Sequence, residues 1–93
     1  MKILQSGSFE RKVKRFGKQE KKALDKQILK IVEDPSVGTE KKGDLCGVYV
    51  HKFKIKNTQY LLSYRFIETD LELIMIGPHE NYYRDLKNYL KAR

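Results

Sequence analysis

Residues 48–66, VYVHKFKIKNTQYLLSYRF, constrain the fold more than any other part of this chain. Apolar and polar residues alternate on both sides of Lys56-Asn57-Thr58-Gln59, the pattern of two half-buried β-strands joined as a hairpin. An even-length loop centred on Asn57 and Thr58 sets Lys54 opposite Leu61, Lys52 opposite Ser63 and Val50 opposite Arg65. Thr58 is a poor residue for φ > 0, so a four-residue turn is favoured over a two-residue one. Opposed residues share a face. One face therefore carries Val50, Lys52, Lys54, Lys56, Leu61, Ser63 and Arg65, and reads as a basic surface. The other carries Tyr49, His51, Phe53, Ile55, Tyr60, Leu62, Tyr64 and Phe66, and reads as a core. Lysines on alternate residues repel one another, so they either guard an edge strand or form a surface for an anion.

Ninety-three residues suit a single domain, 1–93, with one core. Hydrophobic residues make up 40% and charged residues 34%, which fits a folded protein and not a disordered one. Twenty Lys and Arg against twelve Asp and Glu give a net charge of +8, spread along the chain. That balance predicts an anionic partner: nucleic acid, an acidic protein or a membrane surface. The lone Cys46 leaves no internal disulfide and fits a reducing cytosol. No apolar run approaches the roughly 20 residues of a membrane span, and Met1–Gln5 is too short for a signal peptide. The expectation is a soluble cytoplasmic protein with no membrane partner.

The rest of the chain supplies the cover for that hairpin. Lys2–Gln5 reads as a short strand closed by Ser6-Gly7-Ser8, where either serine can cap a helix. Phe9, Val13 and Phe16 form one apolar stripe of a helix that Gly17 terminates. A second helix runs from about Lys18 to Asp34, burying Leu24, Ile28, Ile31 and Val32, and Pro35 stops it. Residues 35–47 read as a turn-rich connection whose Lys41-Lys42-Gly43 tip adds positive charge. After the hairpin, Leu71–Ile76 is apolar on both faces except at Glu72, as expected of a central strand. The last helix is expected to begin at Gly77-Pro78-His79-Glu80, with Pro in its first turn. Tyr82 or Tyr83, Leu86, and Tyr89 or Leu90 would make its apolar stripe. The order β-α-α-β-β-β-α describes an α+β protein: a mostly antiparallel sheet of about four strands, an N-terminal helical hairpin and a C-terminal helix.

Familiar catalytic signatures are missing. The chain has no Gly-rich phosphate loop, CxxC, HExxH or Ser-centred elbow. Two histidines and one cysteine cannot build a convincing zinc site. Chemistry here is expected to need no metal or cofactor and to use Lys, Arg, His, Tyr or Glu. His79 falls at a strand end and an expected helix N-terminus, where free N–H groups favour an anion. His51 falls on the core side of its strand and reads as a buried hydrogen-bonding residue opposite Tyr64.

The order of elements, the KKGDL turn, the KFKIKNTQYLLSYRF hairpin and the IGPHENYYRDLKNYL ending together resemble the RelE/ParE superfamily of bacterial toxins, across essentially the whole chain. The resemblance implies the toxin half of a type II toxin–antitoxin pair, held inactive by a cognate acidic antitoxin. RelE-like members enter the ribosome and cut messenger RNA in its A site; ParE-like members share the fold and block DNA gyrase. The RelE-like branch places two lysines before the hairpin turn, which correspond to Lys52 and Lys54. It places an arginine after the aromatic residue that opens the next strand. Tyr60 matches the aromatic, but Leu61 stands where the arginine belongs, and restoring an arginine there is expected to raise the rate. His79 corresponds to a basic or imidazole group after the last strand, and Tyr82 or Tyr83 to an aromatic beyond it.

Cutting RNA without a metal requires a base for the 2′-OH, cations for the phosphorane and an acid for the leaving 5′-oxygen. The residues expected to do this are His79, Lys52 and Lys54, with Glu80 as a weaker base and Tyr83 as a stacking residue. Expected RNA contacts are Lys56, Arg65, Lys41, Lys42, Tyr82 and Arg84. A non-enzymatic gyrase inhibitor is the alternative, and a plain nucleic-acid-binding module is a third.

Overall fold

A serine joins the first strand to the first helix. The computed structural model describes residues 1–92, apart from the side chain of Asp44. Strand β1 (Ile3–Gln5) stops at Ser6, whose hydroxyl accepts the Phe9 N–H at 3.1 Å and donates to the carbonyl of Ile74. It thereby caps helix α1 (Gly7–Val13) and ties the helix start to the sheet. α1 is shorter than its apolar stripe implies. Beyond Val13, the Arg15 and Phe16 N–H groups turn back to the carbonyls of Lys12 and Val13, a tighter turn that still delivers Phe16 to the core. Gly17 opens helix α2 (Lys18–Glu33) as well as closing what precedes it, its N–H donating to the Glu20 carboxylate at 2.9 Å. α2 buries Leu24 and Ile31 and half-buries Ile28 and Val32, as its periodicity predicts.

The sheet has five strands in the order β1-β5-β4-β3-β2, adding β2 (Thr39–Glu40), β3 (Tyr49–Ile55), β4 (Thr58–Ile67) and β5 (Asp70–Pro78). β1 runs parallel to β5 and the other pairs are antiparallel. The α+β class matches the expectation; the strand count does not, because Thr39–Glu40 pairs with Val50 and Tyr49 inside the stretch read as a connection.

The hairpin turns on Lys56-Asn57 alone, with Ile55 opposite Thr58, Lys54 opposite Gln59, Lys52 opposite Leu61 and Val50 opposite Ser63. The register thus lies two residues from the expected one. Lys56 takes the left-handed conformation (φ 57°), so Thr58 is spared it and the two-residue turn closes. A two-residue shift leaves every side chain on its own face, and the two face assignments hold. His51 lies on the core side, opposite Leu62 rather than Tyr64, and its Nε2–H donates to Gln27 Oε1 at 2.8 Å.

β5 occupies the inner position expected of it. Its single internal charge, Glu72, is buried and accepts a 2.8 Å bond from Arg65 Nε on β4. Between Ser63 and Tyr64 the pairing slips: Ser63 faces Met75 while Tyr64 faces Leu73. The extra residue is a β-bulge that puts both Ile74 and Met75 on one face.

Both faces of the sheet are covered, in two apolar clusters. α1 and α2 close over Phe53, Ile55, Leu62, Tyr64, Leu71, Leu73 and Ile76. Helix α3 (Tyr82–Ala92) and the turn at Gly43–Leu45 close over Val50, Leu61 and Ile74, through Leu45, Tyr82 and Leu86. The lysine-bearing face is therefore a basic surface only where α3 leaves it open. Gly77 and Pro78 belong to β5, and α3 begins at Tyr82, later than expected.

The loop before β3 is pinned from beneath. The Tyr64 hydroxyl donates to the Pro35 carbonyl at 2.7 Å and accepts the Gly38 N–H at 3.1 Å. A Cβ on Gly38 would lie 2.5 Å from that hydroxyl, so only glycine allows the close approach.

Candidate functional site

Alternation along β3 sends Val50 under α3, beside Val48 from the turn before the strand, and leaves Lys52 and Lys54 exposed on the same face. Their Cα atoms are about 7 Å apart, a span that two flexible lysines can close around one phosphate. The strand pairings define one row across the sheet, from Lys52 through Leu61 to Gly77. Two strand spacings put the ends of that row about 10 Å apart. His79 follows two residues after Gly77, just past the end of β5. The lysine pair and the imidazole thus belong to the two strands that flank β4, with the buried Leu61 of β4 between them.

His79 is held by an aromatic contact. Its ring meets the edge of Tyr83, with centroids 6.3 Å apart and planes at 86°. Tyr83 also receives the Lys41 ammonium, 5.0 Å from its ring centroid. Three of the expected residues, from the loop before β3, the loop after β5 and the first turn of α3, therefore meet at one half-buried tyrosine. His79 is not at the helix N-terminus, however. Its carbonyl accepts the Tyr82 N–H at 3.2 Å, and Asn81 (φ 59°) turns the chain into α3. The free N–H groups of a helix N-terminus, expected to favour an anion at His79, are therefore not at that position.

Other expected residues are divided by their surroundings. Tyr82 is 3% exposed; its hydroxyl donates to the Met75 carbonyl at 2.7 Å and lies 2.9 Å from Ser63 Oγ. Burial pushes its phenol well above the ordinary tyrosine range, so it stays protonated. Tyr82 anchors α3 in the core and is not on the surface expected of an RNA contact. Arg65 is half-buried and committed to Glu72, which removes it from the free cations of this face. Leu61 is fully buried against the α3 cluster, so the position is not a surface site that lacks an arginine. Lys42 and Lys56 are exposed, the latter at the hairpin turn. Arg84 is exposed on α3, with Asp85 at 3.6 Å. Glu80 is exposed beside His79 and faces a different neighbourhood.

That neighbourhood was missed in the sequence. A cleft of about 350 Å³ lies between α1 and the end of β5, lined among others by Arg11, Lys12, Arg15, Gly77, Glu80 and Asp85. The signal available was a basic face on α1, which in a sequence is indistinguishable from an ordinary solvated one.

A family model described as the ParE-like toxin of type II bacterial toxin–antitoxin systems matches residues 3–87. Among solved structures, the chain is similar to a YoeB/ParE toxin from Agrobacterium tumefaciens, at 20% identity and TM-score 0.70, covering 85% of this chain and 99% of that one. It is also similar to a double arginine-to-alanine mutant of the E. coli toxin RelE in the free state, at 18% identity and TM-score 0.72, covering 98% and 95%. The intact E. coli RelBE toxin–antitoxin complex contributes a third likeness, at 19% identity and TM-score 0.63, covering 85% and 96%. No curated protein sequence matches the chain.

Proposed function

The chain belongs to the ParE-like toxins of type II bacterial toxin–antitoxin systems, within the RelE/ParE superfamily, and from that premise we propose that it is a metal-independent endoribonuclease acting on messenger RNA in the ribosome. The observation that carries this reading is the exposed Lys52/Lys54 pair on the same sheet as a loop whose His79 packs against Tyr83. In the reaction, the 2′-OH attacks its own 3′-phosphate. The O2′–P bond forms, the P–O5′ bond breaks, and a 2′,3′-cyclic phosphate and a 5′-OH result. Lys52 and Lys54 stabilise the negative charge of the phosphorane. His79 exchanges a proton with the attacking or leaving oxygen, imidazole being a side chain with one nitrogen to accept a proton and another to donate one. Tyr83 stacks on a base next to the scissile phosphate, and Lys41, Lys42 and Lys56 attract the backbone around it. The ribosome supplies most of the orientation, which is how so sparse a site can suffice.

As a type II toxin the chain has an antitoxin partner. An acidic antitoxin segment laid over Lys52 and Lys54 would use the same charges that attract RNA.

A non-enzymatic block of DNA gyrase is the second reading. It is favoured by the buried Leu61 and the paired Arg65, which leave the face with fewer free cations than a RelE-like site. Brief induction of the protein followed by mapping of RNA 5′ ends separates the two. Cuts inside translated codons support the nuclease; a DNA-damage response with intact messages replaces it with the gyrase reading.

A further inference from the structure

The cleft beside α1 has a composition that neither family reading uses. β1 accompanies β5 only as far as Leu73, and Ser6 closes the gap with its bonds to the Leu73 and Ile74 carbonyls. Beyond that point the outer edge of β5 has no strand beside it among the described residues, and the cleft opens between that strand end and the outer side of α1. From α1 come Arg11 and Lys12, and from the turn after it Arg15, none of which forms an ion pair among the described residues. From the opposite wall come Glu80 and Asp85, the latter with only the exposed, 3.6 Å approach of Arg84.

Both signs of charge line one cleft, and none of these cations pairs with these carboxylates. A nucleotide needs both. Its phosphate takes the cations of α1, and its base offers N–H donors to a carboxylate. Guanine presents two adjacent donors, N1–H and the N2 amino group, which one carboxylate accepts together. Uracil presents one N–H flanked by two carbonyl oxygens that repel a carboxylate. The volume suits a ligand of this size.

We infer that this cleft binds a guanine nucleotide, with its phosphate on Arg11, Lys12 and Arg15 and its base edge on Glu80 or Asp85. The inference rests on the nuclease reading for its biological setting: Glu80 directly follows His79, so RNA crossing that loop places the nucleotide beside the scissile one in the cleft. It gives the enzyme a preference for G next to the cut.

The test is an amide NMR titration of the full chain with 5′-GMP, 5′-UMP and inorganic phosphate. GMP is expected to shift amides of residues 11–15 and of Gly77, His79 and Glu80, with a dissociation constant of about a millimolar. UMP should bind about tenfold more weakly, as for the loss of one bidentate base contact. Arg11→Gln/Arg15→Gln should weaken GMP and phosphate alike, whereas Glu80→Gln combined with Asp85→Asn should abolish the preference for GMP. Equal affinity for GMP and UMP, shifts confined to the Lys52/Lys54 face, or no shift with GMP would each overturn the assignment. Binding in the cleft without ribosomal cleavage of any message overturns the nuclease reading and leaves the cleft assignment standing. Cleavage with no nucleotide in the cleft does the reverse.

Discussion

Leu61→Arg is the substitution on which the sequence and the structure disagree. The family resemblance makes it a restoration, since an arginine belongs after the strand-opening aromatic. The structure makes it an insult to the core, because Leu61 is fully buried in the cluster with Val50, Ile74, Tyr82 and Leu86. Losing the leucine forfeits about 2–3 kcal/mol of apolar burial, and forcing a longer side chain into the space costs about 1–3 kcal/mol more. Desolvating the guanidinium adds to both. A loss of about 4 kcal/mol or more is a large part of a typical stability of about 5–15 kcal/mol. For a domain of this size, where urea lowers stability by about 1 kcal/mol per molar, the unfolding midpoint should fall by about 4 M. Circular dichroism in urea measures it. The control is Gln59→Arg. Gln59 is exposed opposite Lys54, on the same face, so a cation there meets no core. Its stability should stay within about 0.5 kcal/mol of the parent, and single-turnover cleavage on ribosomes should be faster. A Leu61→Arg protein with the parent's midpoint and a higher cleavage rate would refute the reasoning and put position 61 in the site.

Three further outcomes follow from the packing. Gly38→Ala drives a methyl against the Tyr64 hydroxyl and should cost about 1–3 kcal/mol in urea unfolding, as overpacking does; Tyr64→Phe in the same background should recover part of it. Tyr82→Phe removes the bonds to Met75 and Ser63 and should cost about 1–2 kcal/mol, with faster amide exchange in the first turn of α3. Burial, then the charge of Lys30, hold the His51 pKa below its ordinary value, so the unfolded chain binds the proton more readily. Stability from this group is complete above about pH 6.5 and is lost as pH falls from there through the folded value. His51→Gln should flatten that part of the melting temperature against pH, and a parent curve flat from pH 7 to 5 would contradict it.

Much of the fold was legible because faces depend on parity and not on register. Lys52 and Phe53 fall on opposite sides whichever turn closes the hairpin, so the face assignment survived a register two residues away from the expected one. The turn itself was hidden, because Lys56 accepts a left-handed conformation that residue preference reserves for Gly or Asn. β2 has two residues, too few for any alternation to register. The bulge at Ile74 has no local signature, yet it places both Ile74 and Met75 on the α3 side. At the site, the i, i+4 spacing allowed either Tyr82 or Tyr83 to face inward. Only the docking of α3 decides that Tyr82 goes into the core and Tyr83 meets His79 and Lys41. Arg11 and Lys12 of α1 line one cleft with Gly77 and Glu80, a juxtaposition of residues more than 60 positions apart that no window of sequence contains.

The central claim is that His79 transfers a proton beside a phosphate held by Lys52 and Lys54. Single-turnover cleavage of messenger RNA on programmed ribosomes tests it most directly. His79→Ala should slow the chemical step by roughly 10²–10⁴-fold, with ribosome binding little changed, because that binding depends on the lysines. Lys52→Ala and Lys54→Ala should each slow it as well and weaken binding slightly. A His79→Ala protein that cuts at the parent's rate, or a parent that arrests growth while leaving every message intact, would contradict the account.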